Sequence, residues 1–414
     1  MFYAYKLLLY NGSQLMHRAR IFKATVPAKK FAPALALVFN SFVWYTLTYR
    51  SLSSYVKQDL SIFGVYYAGI AFAAILGVSL FRHSRETFLS LWALLGAAMT
   101  ALLPVITSNN SVMNVLIALL FGVSTGIGFP SCLAYFADAT SVENRGIYGG
   151  ITWSTVAFGV PAVGLLIISL NTTQTFEALA LWRFLGLVAF FGLSRNLEKV
   201  TPVSAVPSYR SVLEKKDMLL YLLPWIMFSL VNFAEAPILL RSLGQNSDLA
   251  QLVEVAISGL FAVVGGILAD IVGRKRVIIT GFVILGIEYA VFGLFSGTQA
   301  IWYVYIVFDG IAWGMFAAVF FMTMWGDLAG NNQKEKYYLF GGLSYLLAGF
   351  VSVVVTPFLD VIQATAAFSL ASFFLFLAVL PLMYAPETLP EKEIKDRELR
   401  DYLEKAKKVK EKYV

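Results

Sequence analysis

Four ionisable side chains sit inside long apolar stretches of the sequence: Glu235, Asp309, Glu288 and Arg183. A charge at such depth is expensive, and where one is kept it pairs with another, carries a proton or meets a ligand. Asp309 lies about eight residues from one end of its stretch, so ~12 Å deep at 1.5 Å per helical residue. Glu235 lies about five residues from the corresponding end of its own, so on that rise the two carboxylates can share one vestibule. A carboxylate walled by apolar groups is suited to taking up a proton on one side of a membrane and releasing it on the other. The plainer alternative is a fixed pair with Arg241 or Arg50. Trp313, one helical turn after Asp309, can stack on a ligand, as can Trp44 and Tyr45. Aromatic residues make up 15% of the chain, however, and ordinary packing accounts for most of them.

Catalytic chemistry finds no support. Gly122-Val123-Ser124-Thr125-Gly126 matches the hydrolase elbow, which needs a strand–turn–helix setting. Here the pattern lies inside an apolar stretch, where small residues serve helix contact. The only two histidines, His17 and His83, lie in polar segments, and the lone cysteine, Cys132, is in an apolar one. There is no P-loop, zinc spacing or Cys–His pattern. The sequence therefore implies no enzyme, no cofactor, no metal and no ATP-driven work.

The elements that must hold the charged groups are transmembrane helices. Of 414 residues, 58% are hydrophobic and 14% charged, against roughly 25% charged in an ordinary soluble domain. Apolar stretches run over 31–49, 62–81, 88–107, 112–136, 147–170, 176–193, 218–240, 253–269, 277–295, 301–325, 338–358 and 362–384. Each approaches the roughly 20 residues that cross a hydrocarbon core as a helix. Lys and Arg fall on one side of this plan, apart from Arg50, Lys57 and Arg241 near the other face and Arg183 within a span. The positive-inside rule makes that side cytoplasmic and places both termini there. The net charge of +7 follows from the same asymmetry, with anionic lipid and not nucleic acid as the partner of the basic loops. Asn109 and Asn171 match the glycosylation pattern, but in such short loops chance occurrence is the better reading.

Comparing the halves exposes a duplication. Asn40 with Arg50-Ser51-Leu52 resembles Asn232 with Arg241-Ser242-Leu243. Gly77 corresponds to Gly266 and Asp138 to Asp327, both 189 apart (266 − 77; 327 − 138), and Gly149-Gly150 corresponds to Gly341-Gly342. The expected plan is an all-α membrane protein of twelve helices in two six-helix bundles related by a pseudo-twofold along the membrane normal. Its parts are a cytoplasmic segment 1–30, a first bundle 31–194, a central cytoplasmic loop 195–217, a second bundle 218–385 and a cytoplasmic helix 386–414.

The segment Gly265-Gly266-Ile267-Leu268-Ala269-Asp270-Ile271-Val272-Gly273-Arg274-Lys275-Arg276 resembles the major facilitator superfamily, whose loop pattern is Gly, three residues, Asp, two residues, Gly-Arg-Lys. Ala137-Asp138 through Glu143-Asn144-Arg145-Gly146 is similar to the family's loop after the fourth helix, and Pro386-Glu387-Thr388 to the end of many members. In the first half Phe81 stands for the aspartate, Ser84 for the glycine, and only Arg85 remains, so the gating clamp is expected to be one-sided. Chemically, Gly266 permits close helix approach, Asp270 can face a helix N-terminus, Gly273 permits a tight reversal, and Arg274 and Lys275 hold the loop at the lipid surface. Gly159 to Gly164 around Pro161 is similar to the antiporters' pattern but incomplete, and a packing kink explains it as well.

The resemblance implies that helices one, four, seven and ten line a central cavity, which places Asp309, Glu235, Asn232, Asn40 and Trp313 there. It makes helices three, six, nine and twelve peripheral, so for Glu288 and Arg183 the expected role is a local ion pair or a side chain snorkelling to the surface. Gating falls to Gly266, Asp270, Gly273, Arg274 and Lys275, with a second set in Asp138, Arg145, Gly146 and Asp327. The function implied is secondary transport of a small solute by alternating access, coupled to protons or another ion, by a monomer in the plasma membrane. A drug-type proton antiporter is the alternative, and a non-transporting sensor on the same scaffold a more distant one. In the tail, Thr388 and Glu391 form a capping box ahead of a solvated helix.

Overall fold

The computed structural model describes residues 26–55, 59–80, 85–107, 111–195, 206–244, 247–295 and 299–390. Phe81, Ser84, Asn109 and the tail helix beyond residue 390 lie outside them. Backbone groups in hydrocarbon must bond within their own segment, and the apolar stretches accordingly form helices, with no strand among the described residues. Twelve are long and apolar enough to cross a membrane, so the chain is an integral membrane protein. They are α1 (Ala28–Ser54), α2 (Leu60–Ser79), α3 (Arg85–Val105), α4 (Val112–Ala139), α5 (Arg145–Ile167), α6 (Thr172–Ser194), α7 (Lys216–Leu243), α8 (Leu249–Val272), α9 (Arg274–Phe295), α10 (Ile301–Ala329), α11 (Lys334–Phe358) and α12 (Ala364–Tyr384). Several run past their apolar cores, because a hydrogen-bonded ladder does not stop where hydropathy does. Asn171 caps α6 in a reciprocal capping box with Gln174, which accounts for an asparagine at that turn without a glycan.

Two spans are irregular at corresponding places. α4 breaks after Gly126 and resumes at Phe129, with Pro130 in its new first turn; proline lacks the N–H that would continue the ladder. α10 widens into a π-helix over Ala317–Met324, every residue of which is buried. Gly128 and Ala317 are again 189 apart (317 − 128). Thr323 donates its hydroxyl to the Ala318 carbonyl at 2.7 Å, supporting the wider turn.

Small residues set the closest crossings. Gly122 and Gly126 press α4 onto the α2 backbone, since a Cβ on either would overlap the Tyr66 or Ile70 carbonyl; the elbow-like sequence is a helix contact. Between the halves, α5 meets α8 through Gly146, Gly150 and Gly266. Farther in, Phe42, Phe129, Trp153 and Phe321 from α1, α4, α5 and α10 pack ring on ring, with centroids 5.3–6.1 Å apart. Beyond that aromatic plug, toward the ends of α1 and α2 remote from the Arg274 loop, the Tyr67 and Tyr49 hydroxyls bond at 2.9 Å.

Candidate functional site

Polar groups gather at two levels. At the face carrying the Arg274 loop, here the basic face, two matched ionic sets tie the halves together. In one, the fully buried Asp327 at the end of α10 accepts from Arg145 of α5 and from Arg274 Nε of α9, the latter at 3.0 Å. Arg274 also reaches Asp270 at 2.8 Å and the Ala269 carbonyl at 2.8 Å. Asp270 in turn accepts from the Gly146 and Ile147 amides at 3.0 and 2.8 Å. Its charge therefore lies on the positive N-terminus of α5, in the opposite half. In the other set, Asp138 at the end of α4 is bound by Arg85 of α3 and Lys334 of α11, and Arg85 also holds Glu335.

The sets are related by the duplication: Arg85 and Arg274, Asp138 and Asp327, and Arg145 and Lys334 are each 189 apart (274 − 85; 327 − 138; 334 − 145). This corrects the one-sided clamp expected from the first-half loop. With phenylalanine where Asp270 has its counterpart, Arg85 takes its second carboxylate from Glu335 across the interface. The same offset from Arg145 reaches Lys334, whereas Glu335 falls on the counterpart of Gly146 (335 − 189) and carries no such mark.

Gly273 adopts φ +102°, a conformation that side chains resist, and a Cβ there would overlap the Glu387 carboxylate. Glu387 instead accepts from the Arg274 and Lys275 amides at 2.8 and 3.2 Å, capping α9. The Lys275 ammonium donates to the Met383 and Ala385 carbonyls at 2.8 Å, so it binds the end of α12 rather than reaching outward to lipid. At the crossing itself, a Cβ on Gly146 would stand 2.6 Å from the Gly266 carbonyl oxygen. Gly266→Val is therefore expected to wedge α5 from α8 at a cost of about 1–3 kcal/mol. Spin-label distances across the basic face should lengthen, and unchanged distances would refute this close packing.

The second level lies within the half formed by α7–α12. Asp309 of α10 is 3% exposed, and its carboxyl faces that of Glu254 on α8 within hydrogen-bonding reach. Two carboxyl groups bond each other only when a proton lies between them. The helices can approach so closely because Gly310 and Gly314 face the α8 backbone without side chains. Glu288 of α9 lies within electrostatic reach of both and is buried with neither oxygen bonded. Tyr289 and Tyr305 pack beside the cluster, and Glu235 of α7, also buried, has an unpartnered Oε2. Glu254 escaped the sequence reading because it sits at the start of its apolar stretch, where a charge looks interfacial.

Other expectations are corrected. Arg241 bonds the Leu359 carbonyl and Asp360, so it is not the fixed partner of Asp309 or Glu235. Glu288 has no ion pair among the described residues. Arg183 neither pairs with a carboxylate nor snorkels: it is fully buried and donates to Asn40 and Ser41 at 3.0 and 2.7 Å. Asn40 does not face a central cavity, since its amide also donates to the Trp182 carbonyl at 2.7 Å and is packed against Gly186 of α6. Asn232 is half-buried on α7. Trp313 is half-buried with its ring 5.0 Å from Phe228 and 6.0 Å from Tyr345.

Residues 218–411 match the sequence profile of the Major Facilitator Superfamily. No curated protein matches the chain as a relative. Among solved structures, the chain is similar to the human organic anion transporter MFSD10 (TETRAN), with TM-score 0.58 and 16% identity over 86% of this chain and 100% of that one. It is also similar to the Escherichia coli fucose:proton symporter FucP, with TM-score 0.62 and 11% identity over 86% and 98%. A FucP structure in the outward conformation gives TM-score 0.62 and 10% identity over the same shares. The family's sequence is thus carried by the second half, and the fold across both halves is similar to that of these transporters.

Proposed function

We propose that the chain is a proton-coupled secondary transporter of a small solute, working by alternating access as a monomer in the plasma membrane. The observation that carries this reading is the Asp309–Glu254 carboxyl pair with Glu288 behind it. Acids gathered in apolar surroundings, with no cation paired to them among the described residues, hold together only with protons on them. The similarity to a fucose:proton symporter is consistent with that coupling. The basic face is cytoplasmic by the positive-inside rule, and its closure by two ionic sets corresponds to the outward conformation named for one similar structure. Cysteine at exposed Thr173 should then react with an impermeant thiol reagent added outside intact cells, and cysteine at exposed Arg276 should not. The reverse pattern would invert the orientation.

Coupling is tested in proteoliposomes loaded with a pH-reporting dye and offered sugars and small organic acids in turn. A transported solute should acidify the lumen as it enters down its gradient, once diffusion of its neutral form is subtracted using protein-free vesicles. Solute uptake without any protein-dependent proton movement would refute proton symport.

A further inference from the structure

Charge inside the membrane-spanning body is segregated. The buried acids Glu235, Asp309 and Glu288 belong to α7, α10 and α9, whereas the fully buried Arg183 lies on α6 of the other half. Among the described residues, no carboxylate lies within ion-pair distance of Arg183. Its guanidinium carbon stands 4.6 Å from the Trp44 ring and 4.3 Å from the Trp92 ring. Ring faces attract a cation, but they leave its N–H groups unbonded.

The distribution of bonds on Arg183 is informative. Nη1 is doubly satisfied by the Asn40 and Ser41 oxygens, and both acceptors are held by other contacts. Asn40 is fixed to Trp182 at 2.7 Å, and Ser41 donates to the Leu37 carbonyl at 2.6 Å. Among the described residues, Nε and Nη2 are buried without any acceptor. Those two nitrogens form the side-on edge of the guanidinium, whose parallel N–H groups match the two oxygens of a carboxylate. Beside that edge stands Gly96, where a Cβ would lie 3.1 Å from Nε and 3.2 Å from the Trp44 ring, so any side chain there would crowd the edge. Ser41, Trp44 and Trp92, which all touch Arg183, are also walls of a narrow pocket completed by Phe42, Tyr45, Thr125 and Phe129.

We propose that Arg183 is the anchor for the carboxylate of a small organic acid, received from this pocket onto the Nε–Nη2 edge between Trp44 and Trp92. The apolar remainder of the acid lies along the rings of Phe42, Tyr45 and Phe129. As a statement of what the protein carries, this rests on the transport reading above; as a binding site it does not. The missing counter-charge of Arg183 arrives with the ligand, which gives the site its preference for anions over neutral isosteres.

The test uses the purified full chain in detergent, with sodium butyrate as probe and butyramide as its neutral isostere, read by equilibrium dialysis and tryptophan fluorescence. Butyrate should bind saturably and at least tenfold more tightly than butyramide, with a fluorescence change from the flanking Trp44 and Trp92. Arg183→Lys, which keeps the charge but loses the fork, should weaken butyrate at least tenfold, and Gly96→Ala should do the same with Arg183 intact. If these variants do not fold, the wild-type preference decides. Equal binding of butyrate and butyramide overturns the proposal, as does full competition by sodium nitrate, or a folded Arg183→Lys that binds like the wild type. Butyrate bound at Arg183 but not moved in liposomes would leave the site standing and remove the transport reading.

Discussion

Asp309→Asn is expected to abolish proton-driven accumulation in liposomes while leaving exchange of solute across the membrane intact. An amide matches the carboxylic acid in shape and can still bond Glu254, but it cannot release a proton. Glu254→Gln should give the same separation if the two facing carboxyl groups share one proton. Losing one member of a coupled pair is expected to lower accumulation at least tenfold, since the driving step and not the binding step is removed. Glu235→Gln, at a carboxylate outside the bonded pair, should weaken solute binding and leave the coupling ratio unchanged. If Asp309→Asn liposomes still concentrate solute against its gradient when a pH gradient is imposed, Asp309 plays no part in coupling. A static structural pair predicts something else: lower stability and expression, with accumulation and exchange falling together.

Asp327→Asn should release the basic face. Asp327 is fully buried and serves both Arg145 and Arg274, so its neutralisation leaves two guanidinium groups inside without their shared counter-ion. Breaking a buried pair from one side costs about 3–5 kcal/mol. Opening of the face restores water to both arginines, so most of that cost falls on the closed form. At about 1.4 kcal/mol per factor of ten, the closed-to-open ratio should fall by roughly two to three orders of magnitude. Asp138→Asn should do less, because its partners Arg85 and Lys334 keep 18% and 16% side-chain exposure, and water takes over part of the lost interaction. Spin labels on α2 and α11 near the basic face can read both ratios. A closed population unaffected by Asp327→Asn would show that the helix crossings, and not the ions, hold the face shut.

The two predictions concern sites at different depths, and both depend on duplication followed by divergence. At the basic face the repeat has kept its ionic grammar, with three charged pairs of positions at one offset. In the body it has not. The second half holds its acids on α7–α10, while the first half has a buried arginine stacked between tryptophans. The proposed alternating access needs similar hinges in the two halves but not similar chemistry, and the residues divide along that line.

What the sequence determined by itself is the membrane plan and the loop chemistry. Twelve helices follow from the length and apolarity of each stretch, because a backbone in lipid has no other way to satisfy its polar groups. The Asp270–Gly273–Arg274 pattern was legible because a φ of +102° and a helix N-terminus leave marks in residue type. What only the tertiary structure decided is who meets whom across helices. Glu254 and Asp309 are 55 positions apart (309 − 254) and meet because Gly310 and Gly314 let α8 and α10 touch. Asn40 looked cavity-facing from its helix alone, yet the rotation of α1 turns it toward α6. In water a hydrophobic stripe would have announced each buried face. In a bilayer the lipid side and the packed side are equally apolar, so helix rotation leaves almost no trace in hydropathy.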